Sequence, residues 1–261
     1  MCLLAFNWNN HSEYKLILVA NRDEFFERPS APLQQWESGF YGGKDLRAGG
    51  TWLGMHPNGR FAAITNFRDL KNKREFSKSR GDLVKNFLEG EMDPKSYLEE
   101  IEKEKMEYEG FNLLVADQEG LYYLSNKMEG VHQLRPGLYG LSNAVLETPW
   151  PKLTKAKENL AHHISTASFE PLSLMKGQQS KETDPQEILP DTGATPEQEK
   201  LLSAQFINVG NYYGTVNSTV LLWKHSGEVD MMERKFDQVA ETFQDTQVKF
   251  KVENFLEQKQ S

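Results

Sequence analysis

The stretch Met1-Cys-Leu-Leu-Ala-Phe-Asn-Trp8-Asn-Asn-His-Ser12-Glu-Tyr14-Lys-Leu-Ile-Leu-Val-Ala20-Asn-Arg-Asp-Glu24 decides how the rest of the chain is read. Residues 2–8 are short, apolar and aromatic, which predicts a β-strand. Asn9-Asn10-His11-Ser12 reads as a turn. Tyr14 to Ala20 is nearly all apolar, as expected of a strand buried on both faces. The two strands make a hairpin, which returns Asn21, Arg22, Asp23 and Glu24 to the neighbourhood of Cys2.

Cys2 is the only cysteine in the chain. Removal of the initiator methionine would leave its thiol and a free α-amine on one Cα. Thiolate is the reactive form of cysteine, and a nearby base must generate it. An α-amine has a pKa of roughly 7.7–8.0 and a thiol roughly 8.5. An N-terminal cysteine therefore carries its own base. The competing readings are a small apolar side chain opening a strand, and surface ion pairs for Arg22, Asp23 and Glu24.

Composition narrows the class of protein. Of 261 residues, 38% are hydrophobic and 26% charged, enough apolar material for a core. The net charge is −8, and the densest basic run, Lys71 to Lys78, is interrupted by Glu75. It reads as a solvated loop, and no nucleic-acid footprint is expected. One cysteine makes no internal disulfide, which fits a reducing compartment. The N-terminus lacks the basic segment of a signal peptide, and no apolar run approaches the ~18 residues of a membrane helix. A cytoplasmic protein that is not membrane-inserted is expected, with residues 1–261 as a single domain.

Outward from the hairpin, two prolines in Arg28-Pro29-Ser30-Ala31-Pro32 argue against regular structure. Gly42-Gly43 and Gly49-Gly50 predict a loop able to lie over a ligand. It matches no nucleotide-binding fingerprint. Strands are expected at 51–55 and 60–65, the second running out at Asn66. Helices are expected at 80–88 and 93–106, the latter capped by Asp93-Pro94. Hairpin strands follow at 111–116 and 121–124, then strands at 131–134 and 138–141 ending at Ser142-Asn143. Trp150-Pro151 opens a helix whose Leu153, Ala156, Leu160, Ala161 and Ile164 share one face. His162 and His163 have no ligand-spaced partner, so no metal is expected, and no cofactor. Residues 166–200 read as a long, largely irregular excursion with one or two short helices. A last hairpin, 217–223 with 229–236, precedes a strand at 247–252. The pattern is α+β, with layered antiparallel sheets and helices outside.

Long blocks of this chain resemble one family. They are MCLL at 1–4, ANRDEFFERP at 20–29, GGKDLRAGGTWLGM at 42–55, GRFAAITNFRD at 59–69, YGLSNAVLETPWPK at 139–152 and YGTVNSTVLLW at 213–223. The family is the NRDE family, also called the transport and Golgi organization protein 2 family. The resemblance implies the four-layer αββα sandwich of N-terminal nucleophile hydrolases. By similarity to their cysteine branch it implies Cys2 as nucleophile with its α-amine as base, Asp23 holding the N-terminus, Asn66 in the oxyanion hole and Asn143 as a second site asparagine. Asn21 and Arg22 would support them. The branch's arginine three residues before the aspartate is Ala20 here, with Arg22 as the nearby substitute. The family's usual arginine after YGT is Val216 here.

Two functional readings follow. One is hydrolysis of a linear amide C–N bond in a small acylated substrate, with Trp8, Phe25, Phe26, Trp36, Trp52 and Phe67 available for an apolar acyl pocket. The other, implied by animal members of the family, is non-enzymatic handling of lipid, acyl-CoA or haem. No CxxCH haem signature supports the latter. A third reading, a fold without activity, rests on Val216.

Overall fold

The computed structural model describes residues 2–71, 76, 78–166 and 169–253. Met1 and most of the basic run Lys71 to Lys78 lie outside the described residues. In chain order the strands are β1 (Cys2–Trp8), β2 (Tyr14–Phe25), β3 (Ser30–Gln35), β4 (Tyr41–Asp45), β5 (Leu53–Met55), β6 (Phe61–Asn66), β7 (Phe111–Ala116), β8 (Leu121–Ser125), β9 (His132–Leu134), β10 (Gly137–Leu141), β11 (Asn208–Val209), β12 (Tyr213–Lys224), β13 (Glu228–Asp237) and β14 (Thr242–Lys251). The helices are α1 (Arg80–Glu89), α2 (Pro94–Glu104), α3 (Pro151–Ile164), α4 (Pro171–Lys176) and α5 (Pro196–Leu201).

Alternation of side chains along β1 and β2 builds the layers. Leu4, Phe6, Trp8, Leu16 and Leu18 point to the core between the sheets. Leu3, Ala5, Ile17 and Val19 point the other way, onto Leu153, Ala156 and Leu160 of α3 and Leu174 and Met175 of α4. That two-sided burial is why β2 reads as an unbroken apolar run. The first sheet has the order β10-β1-β2-β12-β13-β14, with β11 on β12. The second runs β3-β4-β5-β6-β7-β8-β9. Every strand pairing is antiparallel. Helices α1 and α2 cover the outer face of the second sheet, packing on β5 to β8. The layers are therefore helix, sheet, sheet, helix, as the resemblance implied.

Two expectations are corrected. Ser30–Gln35 is a strand despite Pro32. It is an edge strand, and its register slips between Ala31 and Gln34, so the missing N–H of Pro32 breaks no ladder. Gly42 and Gly43 lie within β4 rather than in a loop. A Cβ on Gly43 would sit 2.3 Å from the Trp52 ring, so glycine there lets the indole lie against the strand. Gly49, at φ +76, does make the expected turn. The excursion at 166–200 carries α4 and α5 as expected, with 167–168 outside the described residues.

Strands β9 and β10 are close in sequence yet belong to different sheets. The chain crosses between them at residues 135–136, and β10 pairs with β1. That crossing delivers Ser142 and Asn143 to the end of the molecule where β1 begins and β6 ends.

No helix among the described residues is long and apolar enough to cross a membrane.

Candidate active site

Cys2 opens β1 and lies opposite Arg22 on β2. Directly opposed residues share a face, so the thiol and the guanidinium both enter the space between the sheets. Cys2 is 7% exposed and Arg22 6%. They line a cleft of about 460 Å³ together with Asp23, Glu24, Thr51, Trp52 and Asn66. The far wall comes from the start of α1 with Arg80 and Gly81.

Arg22 and Asp23 are each held by partners of their own. The Arg22 guanidinium lies 4.3 Å from the Trp52 ring centre and donates through Nη2 to Asp45 at 3.3 Å. Arg28 Nε approaches the same Asp45 oxygen at 2.7 Å. Asp45 also accepts from the backbone N–H groups of Arg47 and Ala48. These donors hold its carboxyl below the usual carboxylate range although burial pushes the other way. Asp23 Oδ1 accepts from the Thr215 hydroxyl at 2.7 Å, across the β2–β12 ladder where the two residues are paired. Burial raises the Asp23 carboxyl above its ordinary value, with nearby cationic charge and the Thr215 bond opposing it. Burial also raises the Cys2 thiol. A thiol held in this way is a poor nucleophile without a base beside it.

Asn66 is the last residue of β6, on the other sheet. Its side-chain amide makes no hydrogen bond to the described residues, and it lines the cleft half-buried. Asn143 does not line the cleft. It is fully buried behind Asn66 and donates through Nδ2 to the Asn66 carbonyl at 2.9 Å. The neighbouring Ser142 hydroxyl donates to the Cys2 carbonyl at 3.1 Å. Asn21 also lies away from the cleft. Its amide donates to the carbonyls of Gln178 and Gln205 and accepts from the Ser218 hydroxyl, fastening the excursion to the first sheet.

A second cleft of about 530 Å³ adjoins the first, and Glu24, Arg28, Asn66, Arg80 and Glu109 line both. Its other walls include the apolar Phe25, Phe67, Leu70, Leu202, Val209, Tyr212 and Tyr213 and the charged Glu27, Arg47, Arg68 and Asp69. Its arginines are paired: Arg28 with Asp45, Arg47 with Glu27, Arg68 with Glu199 and Arg80 with Glu109. Among the described residues no group of three or more His, Cys, Asp and Glu is arranged to hold a metal ion.

Residues 1–238 match the family described as transport and Golgi organisation 2. The mouse homolog of that name is 34% identical over 258 residues, spanning 90% of this chain and 92% of the relative. The human homolog is 34% identical over 259 residues with the same coverage. The chain belongs to the transport and Golgi organisation 2 family. The Drosophila melanogaster protein of the family is 29% identical over 197 residues, 66% of this chain and 69% of that one. Among solved structures, the Caenorhabditis elegans N-acylethanolamine-hydrolyzing acid amidase ortholog matches at 11% identity and TM-score 0.47, covering 85% of this chain and 92% of that one. A variant of conjugated bile acid hydrolase from Clostridium perfringens matches at 10% identity and TM-score 0.47, covering 97% of both.

Three of the four residues expected at the site in this family member, Cys2, Asp23 and Asn66, share one cleft. Arg22 joins them, opposite Cys2, whereas Ala20 is buried two residues away along the same strand face. Val216 stands half-buried at the irregularity of β12 and lines neither cleft. Of the six aromatics, Trp52 lines the first cleft and Phe25 and Phe67 the second. Trp8 is buried against Trp223 and Trp36 stacks on Phe40.

Lys152 is the residue that sequence reasoning passed over. It sits in the first turn of α3, 2% exposed, donating to the Leu202 carbonyl at 3.1 Å. Burial lowers its amine to about 8, helped by Arg68 and opposed by Asp23 and Cys2. The available signal was its spacing, four residues before Ala156 on the apolar stripe of α3.

Proposed function

We propose that this chain is an N-terminal cysteine hydrolase acting on the C–N bond of a linear amide, once Met1 has been removed. The observation that supports it is the meeting of Cys2, Asp23 and Asn66 in one cleft, although they come from three strands of two sheets. The exposed α-amine takes the thiol proton, and Sγ attacks the amide carbonyl carbon. The carbonyl oxygen gains the negative charge and accepts from the Asn66 amide. The C–N bond breaks, the amine product leaves with the proton returned by the α-ammonium, and a thioester remains on Cys2. A water molecule then gives a proton to the α-amine and attacks the thioester, releasing the acid and the thiol. Asp23 holds the ammonium form in place, and the buried carboxyl is itself oriented by Thr215. Asn143 acts through Asn66 by fixing its backbone.

The substrate is a small acylated amide. The second cleft, with its aromatic walls, is where the remainder of it lies. The chain works in the cytoplasm as a single domain over residues 1–261, and needs neither metal nor cofactor for these steps.

Intact-mass measurement of the cellular protein, combined with labelling by a thiol-reactive probe, tests this directly. A mass lacking Met1 and rapid labelling of Cys2 are expected. Retained Met1, or full amidase activity in Cys2→Ala, would sink the mechanism. If haem or long-chain acyl-CoA bound equally to the intact protein and to Cys2→Ala, with no amidase activity in either, the carrier reading would replace it.

A further inference from the structure

Strand β14 ends the first sheet with a long edge. It pairs with β13 from Thr242 to Lys251 without a break in register, and among the described residues no strand lies on its other side. The edge at β3 is blunted by Pro32 and a slipped register, and the edge strands β9 and β10 are short. β14 contains neither proline nor bulge. An edge of this kind carries a row of N–H and C=O groups ready to pair with another chain. Which residues present them follows from one bond. The Val252 N–H donates to the Gly227 carbonyl, one step beyond the Glu228–Lys251 pairing of the ladder. The even-numbered residues of β14 therefore bond to β13, and the backbone groups of Phe243, Asp245, Gln247, Lys249 and Lys251 point to the open edge. The side chains of these same residues are exposed on the outer face, since Val248 and Phe250 turn to the core between the sheets.

We propose that this edge pairs with its counterpart in a second copy of the chain, antiparallel about a two-fold axis at Gln247. Directly opposed residues share a face, so a two-fold axis of this kind passes through a residue that opposes itself. Charge selects Gln247 as that residue. It sets Asp245 against the partner's Lys249, and by symmetry Lys249 against the partner's Asp245. Within one copy Arg234 already meets Asp245 at 2.7 Å and Asp230 meets Lys249 at 3.2 Å, each across the β13–β14 pairing. The assembled row across four strands is then Arg234, Asp245, the partner's Lys249 and the partner's Asp230, with every neighbour of opposite sign. The axis generates a second such row. At the ends Phe243, 58% exposed, faces the partner's Lys251, whose aliphatic stem can cover the ring. Centring on Thr246 would set Asp245 against glutamine. Centring on Val248 would set Lys249 against glutamine and run Phe243 past the end of the partner strand. Lysines on an edge commonly prevent pairing by leaving a charge without a partner; here one register supplies the partner.

Sedimentation equilibrium of the full chain tests the pairing. An interface confined to one strand from each copy is small, so a monomer–dimer equilibrium with a Kd of about 10–100 µM is expected. Gln247→Pro removes an N–H that faces the open edge and leaves the ladder to β13 whole. It should raise that Kd about tenfold or more, with little change in melting temperature. Should Gln247→Pro fail to fold, single cysteines placed in Cys2→Ala, which lacks the one native thiol, decide the matter. Gln247→Cys opposes itself across the axis and should oxidise to a disulfide-linked dimer. Asp245→Cys and Lys249→Cys are displaced from their own counterparts and should not. A chain that stays monomeric up to about 500 µM, a folded Gln247→Pro that dimerises like the parent, or equal cross-linking at the three positions would overturn the proposal. Dimerisation seen only after deletion of residues 254–261 would overturn it too, by making the end of the same chain the occupant of the edge.

Discussion

Asn66 and Asn143 divide one task between two amides, and their replacement should fail in different ways. Asn66 presents to the cleft a side-chain amide with no hydrogen-bond partner among the described residues, whereas the Asn143 amide is spent on the Asn66 carbonyl. Asn66→Ala should lower the rate of Cys2 acylation by p-nitrophenyl butyrate about 100-fold or more, with stability little changed. Asn143→Ala leaves a buried carbonyl without its donor, and should cost about 1–3 kcal/mol in chemical denaturation with a smaller loss of rate. Equal kinetic losses in both, with no difference in stability, would contradict the division. Much of this was legible in the sequence. Asp23 and Asn66 were placed at strand ends by the apolar pattern, and the family resemblance attached roles to them. Thr215, Ser142 and the stacking of Trp52 on Arg22 were not legible, because each depends on cross-strand register or on packing between sheets. A one-residue change of register would send every such side chain to the other face.

Among the elements, β13 carries a group that ties the sheets together. Glu233 is fully buried on the inter-sheet face, accepting from the Leu33 N–H of β3 at 2.7 Å and from the Thr219 hydroxyl. Burial raises its carboxyl from 4.5 to about 7. The folded state therefore binds a proton that the unfolded state has lost between pH 4.5 and about 7. Its contribution is fully present below 4.5 and is lost as pH rises through 7. Without ionising, glutamine keeps the bond from the Leu33 N–H on its carbonyl oxygen and can donate through its amide to the Thr219 hydroxyl oxygen. Relative to Glu233→Gln, the parent should lose about 3 kcal/mol of stability across that window and then level off, at about 1.4 kcal/mol per pH unit. Denaturant melts of both proteins at several pH values check this; parallel curves would contradict it. The strand itself was readable from its alternation. Its neighbour β3 was not, because proline is a strong sign against a strand except at an edge, and edge position is a property of the assembled sheet. For the same reason the sequence shows β9 and β10 as successive strands, and only the fold assigns them to different sheets.

At the scale of the whole molecule, the excursion between α3 and β12 is fastened to the first sheet and to α3 by Asn21, Lys152, Lys155 and Asn159. The strongest tie is the Arg68–Glu199 pair at 3.0 Å, nearly fully buried, which joins the chain just after β6 to α5. Glu199 also accepts from Thr192. Glu199→Ala takes the carboxylate from a buried guanidinium and should cost about 3–5 kcal/mol. Hydrogen exchange should quicken across residues 169–206 before it quickens in either sheet. Uniform quickening would mean that the excursion and the sheets open together. The proposed site is fastened differently, and the difference bears on evolution. The adjacent residues Ser142 and Asn143 each hold one half of it, Ser142 bonding Cys2 on one sheet and Asn143 bonding Asn66 on the other. The spacing between nucleophile and amide is thus gauged by a single peptide unit. The contour of chain from β6 to β10, with two helices and three strands inside it, does not enter that measurement. Insertions in the turn at 117–120 or the bend at 126–130 should lengthen the protein while leaving its chemistry intact, whereas one residue added between 142 and 143 should abolish it.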